Sequence, residues 1–211
     1  MSPRVELARR RPRRRTHAER TAETRAAIMG AVVESISELG FKRSTASEIA
    51  RRAGVTWGAV QHHFGGKDGI LSAVVEDSFN RFAERLSGVE AAGESLEERA
   101  RLFVDRAWRH FESPDFRSTF EILQHYGASS PEHAWQGEML TAWNRVWSQL
   151  FGECPAARGR RLALQHYTIS VLSGLASLLR FESPSPAVLA LELDLLKDTL
   201  LRELGAKAAR R

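Results

Sequence analysis

Apolar residues recur at intervals of three and four along most of this chain, and no run of strict alternation interrupts them, so the pattern predicts an all-α protein. The first helix runs from about His17 or Ala18 to Leu39, with Ile28, Val32, Ile36 and Leu39 on one face and Gly40 at its end. Thr45 and Glu48 have the spacing of a capping box and open a short helix through Ile49, Ala50 and Arg51. Gly54 suits the left-handed turn that ends it, and Thr56 is the N-cap candidate for another short helix, Trp57 to about Phe64, closed by Gly65 and Gly66. A long fourth helix starts near Lys67, its apolar row passing through Ile70, Leu71, Val74, Val75, Phe79, Phe82 and Leu86 to a break at Gly88–Gly93. Ser95 and Glu98 form a second box and begin a fifth helix ending near Phe111. Ser113-Pro114, Ser130-Pro131, Cys154-Pro155 and Ser183-Pro184-Ser185-Pro186 then separate four more, at about 115–126, 132–151, 156–181 and 187–204. The pattern therefore gives nine helices, three of them placed before a long fourth.

The stretch from Phe41 to Leu71 carries the chemistry. Two short helices joined by a three- to four-residue turn containing glycine make a helix-turn-helix. Ile49, Ala53, Val55, Val60 and Phe64 can meet on one side, which leaves Trp57, Gln61, His62, His63 and Lys67 facing outward. The second helix of such a unit enters the major groove of DNA, its first residues meeting base edges. Gly58 and Ala59 have little side chain and allow a close approach. The run Gly58-Ala59-Val60-Gln61-His62-His63-Phe64-Gly65-Gly66-Lys67-Asp68-Gly69-Ile70-Leu71 resembles the recognition-helix pattern of the TetR family, Gly-Thr-Leu-Tyr-His-His-Phe-x-x-Lys-Glu-x-Leu-Leu, and the likeness extends over roughly residues 24–86. The resemblance implies that Thr56, Trp57 and Ala59 face bases, that His63 and Lys67 touch phosphates, and that Ser44 and Thr45 approach the DNA backbone at a helix N-terminus, where the dipole favours an anion. Gln61 departs from the pattern, since the family usually has Tyr there; Gln can bond a phosphate or an adenine edge but has no ring.

The same resemblance implies an organisation. Residues 17–66 form the DNA-binding domain and 67–205 an effector-binding and dimerisation domain, flanked by an arginine-rich arm (1–16) and a short basic tail (206–211). The last two helices carry leucine on more than one face, so each needs two apolar partners. Both partners could lie within one chain; a four-helix bundle shared by two copies is the preferred arrangement, and such a homodimer faces a palindromic operator in double-stranded DNA. The middle helices are rich in aromatic residues. Trp108, Phe111, Phe120, Trp143 and Trp147, with Gln124 and His166 as polar partners, are the candidates for lining a small-molecule effector pocket; His125, Asn144 and Arg145 are further polar candidates.

Charge adds one feature. The chain of 211 residues has a net charge of +5, and residues 1–25 alone hold nine Arg against three Glu. The basic character therefore belongs to the arm, which could follow phosphates or enter a minor groove. No apolar stretch follows the arginines, so the arm does not read as a signal peptide, and no run approaches the length of a membrane span. Cys154 is the only cysteine, which fits a reducing cytoplasm. The histidines show no metal-ligand spacing, and no cofactor-binding fingerprint, phosphate loop or nucleophile elbow is present, so the sequence does not read as an enzyme. The resemblance implies a sequence-specific transcriptional regulator, most often a repressor, released from a palindromic operator by a small-molecule effector. The alternative is a DNA-binding regulator without a small ligand, controlled by abundance or by a protein partner.

Overall fold

The computed structural model describes residues 16–88, 95–126, 134–179, 181 and 184–205. Among them are nine α-helices and no strand: α1 (His17–Leu39), α2 (Ala46–Ala53), α3 (Trp57–Phe64), α4 (Lys67–Leu86), α5 (Leu96–Phe111), α6 (Pro114–Tyr126), α7 (Ala134–Phe151), α8 (Arg158–Leu178) and α9 (Pro186–Gly205). A single 3-10 turn, Phe41–Arg43, connects α1 to α2. Apart from Thr16, the arginine-rich arm lies outside the described residues, as do the basic tail and most of the Gly88–Gly93 break.

Local chemistry sets the helix ends. Thr16 and Glu19 make a reciprocal capping box on α1, which the sequence reading did not single out, and Ser95 and Glu98 make the anticipated one on α5. The box anticipated on α2 is only half formed. The Thr45 hydroxyl accepts from the Glu48 N–H at 3.3 Å, but the Glu48 carboxylate turns to Arg51 and Arg52, because two guanidiniums attract it more strongly than one amide. Gly54 takes the left-handed conformation (φ 67°, ψ 29°) that lets the chain leave α2 and re-enter a helix three residues later. The eighth helix is shorter than its apolar pattern. Arg161 bonds the carbonyls of Cys154 and Ala156, which fixes the preceding turn and delays the start to Arg158. α9 begins at Pro186, one residue earlier than expected, since the fixed φ of proline suits a first helical position.

Two apolar cores result. The first gathers Ile28, Val32 and Ile36 of α1, Ile49 of α2, Val60 of α3 and Ile70, Leu71, Val74 and Val75 of α4. The second gathers Phe103 and Val104 of α5, Trp143, Trp147 and Phe151 of α7, Leu172 of α8 and Leu196 and Leu200 of α9. α4 belongs to both, because Phe82 and Leu86 at its far end enter the second core. α6 ties them together from the side. Its Ile122 is buried in the first core, its Ser118 hydroxyl donates to the Val33 carbonyl at 2.9 Å, and its buried Glu121 accepts the Phe41 N–H at 2.9 Å. His125, one turn on, stacks on the Phe41 ring with centroids 4.3 Å apart.

Phe103 is fully buried and meets the rings of Trp147 and Phe151 edge-on at 5.5 and 5.4 Å. Replacing it with alanine removes those contacts and leaves a void, so Phe103→Ala should lower unfolding free energy by about 3–5 kcal/mol in a denaturant titration.

Candidate nucleic-acid interface and an internal cavity

The outer face of α3 follows from its sequence. Trp57, Val60 and Phe64 recur at helical spacing and turn toward the first core, which leaves Gly58, Gln61 and His62 as an exposed stripe ending at Gly65. Thr56 caps the start of the helix, its exposed hydroxyl accepting the Ala59 N–H at 3.2 Å. Arg25 of α1 holds the other end: its guanidinium lies 4.2 Å from the centre of the Phe64 ring and bonds the His63 carbonyl at the helix C-terminus. The sequence reading missed Arg25, because its partners lie about forty residues away along the chain.

α2 is pinned to α1 by charge. Arg52 reaches Glu38 at 2.7 Å and Glu48 at 2.6 Å, and Arg51 reaches Glu48 at 2.7 Å. Hydrogen bonds from Arg51 and then Arg52 hold the Glu48 carboxyl well below its ordinary value, at about 2. α2 thus sits in a fixed relation to α1, with the exposed Thr45 at its start and the stripe of α3 exposed beside it.

Several anticipated residues fall elsewhere. Ser44 is buried, its hydroxyl bonding Ser35 at 2.9 Å and the Gly40 carbonyl at 3.0 Å, so its side chain serves the α1–α2 junction and cannot reach a phosphate. Trp57 is half-buried and packs against the first core, because its position repeats that of Val60 and Phe64. His63 is half-buried, and Lys67, also half-buried, opens α4 with its ammonium 5.1 Å from the centre of the Phe41 ring.

The second core contains a cavity of about 140 Å³. It is lined by Ser78, Phe79 and Phe82 of α4, His110 and Phe111 of α5, Phe116, Thr119, Phe120 and Leu123 of α6, Trp143 of α7 and Ile169 and Ser173 of α8. Of the anticipated lining, Phe111, Phe120 and Trp143 are there. Trp108 and Trp147 are buried in the second core but do not line the cavity. Gln124 and His166 fall on solvent faces of their helices, as do His125, Asn144 and Arg145. The lining residues that carry a polar group are Ser78, His110, Thr119, Ser173 and Trp143, of which the Ser78 hydroxyl oxygen and the Trp143 indole nitrogen are themselves covered. Ser78 and His110 could have been found from the pattern, since Ser78 stands in the row Leu71, Val74, Val75, Phe82 and His110 follows Phe103 and Ala107 on a buried face.

His110 is surrounded by the rings of Phe82, Phe111 and Phe116, with centroids 4.8, 5.8 and 5.5 Å away. Burial, with a smaller push from Arg85 and Arg81, lowers its pKa from 6.5 to about 4, so the imidazole is neutral at physiological pH.

Comparison with known proteins agrees with this geometry. Residues 28–74, which span α2, α3 and the flanking parts of α1 and α4, match the profile of bacterial regulatory proteins of the tetR family. The chain is similar to the HTH-type transcriptional regulator BetI 1 of Chromohalobacter salexigens, 34% identical over 79 residues, covering 37% of this chain and 39% of that protein. It is also similar to BetI of Escherichia coli O17:K52:H18, 35% identical over 80 residues, covering 37% of this chain and 41% of that protein. The chain thus spans about two-fifths of the length of these curated relatives. In fold it is similar to a TetR family transcription regulator from Marinobacter aquaeolei VT8, with a TM-score of 0.69 at 16% identity over 86% of this chain and 97% of that one. A transcriptional regulator from Rhodococcus sp. Rha1 superimposes with a TM-score of 0.65 at 24% identity over 88% of this chain and 99% of that one. A helix-turn-helix on an all-helical frame is common to this chain and to these regulators. Over residues 28–74 the chain thus matches the tetR family, and over most of its length it shares the fold of solved regulators of that family.

The lowered His110 pKa has a consequence for acid stability. The unfolded chain takes up a proton near pH 6.5 and the folded one only near pH 4, so the contribution is complete above pH 6.5 and is lost as pH falls toward 4, by up to roughly 3 kcal/mol. Melting temperature measured from pH 7.5 to 4.5 should fall more steeply for the parent protein than for His110→Gln.

Proposed function

We propose that this protein is a homodimeric regulator that reads a palindromic operator with α3 and leaves it when a small molecule enters the cavity of the second core. The observation that carries the DNA-reading half is the exposed stripe Gly58, Gln61 and His62 on a helix whose start is capped by Thr56 and whose end is held by Arg25. Thr56, Ala59 and the outer edge of Trp57 face bases, Gln61 and His62 extend along the groove, and His63, Lys67 and Thr45 meet phosphates. The DNA-reading unit is residues 17–66 and the effector and dimer unit residues 67–205, and the arginine arm preceding α1 adds sequence-independent phosphate contacts.

The dimer reading rests on α8 and α9. Leu193, Leu196, Leu200 and Leu204 bury one face of α9, while Val188, Leu191 and Leu195 stand exposed on another, Leu191 at 64% and Leu195 at 66%. Leu162, Tyr167 and Leu178 are exposed on α8. A row of exposed leucines at helical spacing is the mark of a partner surface, and a second copy pairing α8 and α9 across a two-fold axis covers it. Two recognition helices then fall about 34–36 Å apart, one turn of DNA.

The effector reading rests on the cavity. A regulator controlled only by abundance has no need of a void between five helices, and the void lies against both helices that reach the DNA-binding end. Ser78, Phe79 and Phe82 place it on α4, which starts at Lys67; Phe116, Thr119 and Phe120 place it on α6, which holds Phe41. An effector that fits better when these helices shift favours the arrangement that does not match the operator, and a coupling of about 1–3 kcal/mol changes DNA affinity roughly 5–150-fold.

Selection of bound oligonucleotides from a random pool tests the function directly. A palindrome with half-sites one helical turn apart is expected; enrichment of no sequence would overturn the reading. Lys67→Ala should weaken binding to all DNA alike and reduce the slope of log K against log salt by about one unit. An unaltered slope in a salt titration would remove Lys67 from the phosphate contacts.

A further inference from the structure

The cavity is set apart by size and by the chemistry of its wall. At about 140 Å³ it lies below the usual range for ligand pockets and close to the volume that accepts one benzene ring. Its accessible wall is almost wholly apolar, made mostly by five phenylalanines and Trp143, with Leu123 and Ile169. The polar groups of several lining residues are withdrawn from it. The Ser78 hydroxyl oxygen and the Trp143 indole nitrogen are covered by neighbouring atoms, and the Thr119 hydroxyl donates to the Asp115 carbonyl at 2.8 Å. His110 is closed in by the rings of Phe82, Phe111 and Phe116 and carries no charge at neutral pH.

Ser78 and Thr119 also border a second, larger depression of about 550 Å³ between α1, α4 and α6. There the lining includes Arg25, Glu34, Asp77, Arg81 and Asp115, and Arg81 pairs with both aspartates. Charge is thus gathered in the larger groove, whereas no Asp, Glu, Lys or Arg lines the smaller cavity. A wall that offers few hydrogen bonds holds water poorly. Aromatic rings in such a wall favour an aromatic guest, because offset and edge-to-face pairs are stabilised beyond the area they bury. The lining rings already pair in these ways: Phe82 stacks with Trp143 at 5.3 Å between centroids and Phe116 with Phe120 at 5.7 Å, while Phe82 meets Phe111 edge-on at 6.0 Å.

We propose that the cavity binds a neutral one-ring aromatic hydrocarbon, benzene or an alkylbenzene in chemical class, held by contact with the rings and without a hydrogen bond to the wall. A hydroxyl on the same ring gives up its hydrogen bonds to water on entry, and a carboxylate or an ammonium gives up far more, with no counter-charge among the lining residues to offset the loss. This identification deepens the effector reading above and rests on it only for the consequence on DNA, not for binding itself.

The test is calorimetric titration of the full chain with toluene, phenol, cyclohexane, benzoate and benzylamine. Two variants accompany the parent protein: Ser173→Met, which fills the cavity, and Phe120→Leu, which enlarges it. A thermal melt confirms that each folds. Toluene should bind the parent roughly 10-fold more tightly than phenol, the ratio set by one uncompensated hydroxyl, and about 3-fold more tightly than cyclohexane. Benzoate and benzylamine should fail to displace it. Ser173→Met should weaken toluene binding at least ~10-fold, and Phe120→Leu should move the preference from toluene toward propylbenzene. Phenol or either charged compound binding as tightly as toluene overturns the proposal, as does cyclohexane doing so, no binding of toluene, or an unchanged toluene affinity in a folded Ser173→Met. If Ser173→Met fails to fold, a Phe120→Leu protein that gains nothing for propylbenzene overturns it instead. Operator selection by the same preparation separates the two ideas: selective DNA binding without toluene binding leaves the regulator standing and removes this ligand, whereas toluene binding without DNA selection does the reverse.

Discussion

The apolar row of α4 is the constraint on which the rest depends. A single helix supplies Ile70, Leu71, Val74 and Val75 to one core and Phe82 and Leu86 to the other. Neither core closes without it, and because a helix is stiff over five turns, the two cores cannot choose their relative placement independently. The same row explains why the cavity lies where it does. Ser78 and Phe79 occupy the interval between the two sets of buried residues, where packing passes from the small aliphatic side chains of the first core to the aromatic rings of the second.

Much of this was legible in the chain. All nine helices can be read from periodicity, capping residues and prolines, because those signals are local and each acts within a few residues of its cause. The reading of α3 was legible for the same reason: Val60 and Phe64 bury, and the positions between them cannot. What failed was local reading of residues whose partners are remote. Ser44 looked like a phosphate ligand at a helix N-terminus, but Ser35 on α1 takes its hydroxyl. Glu48 looked like half of a capping box, but Arg51 and Arg52 take its carboxylate. Glu121 carries no signal at all in sequence, since the amide it serves belongs to Phe41, eighty residues earlier.

The cavity residues divide along a similar line. Of the aromatic residues singled out in the sequence, Phe111, Phe120 and Trp143 line the cavity. The polar partners were chosen for being polar near aromatics, which selects the solvent faces of those helices. Gln124 and His166 are exposed. Ser78 and His110 were to be found by the opposite criterion, a polar residue standing where the pattern demands an apolar one.

Phe41 sits where three elements meet. Its amide is held by Glu121, its ring stacks on His125, and the Lys67 ammonium lies over the same ring. Glu121 and His125 stand on the helix whose other side walls the cavity, and Lys67 opens the helix that follows the recognition helix. The ring is therefore a shared bearing surface. A small rotation of α6 moves the support of Lys67, and, on the phosphate role proposed for Lys67, a phosphate that draws it from the ring loosens the seat of α6. Under the proposed function the coupling through this ring is reciprocal: occupancy at one end and grip at the other weigh on each other equally, whichever event comes first in time.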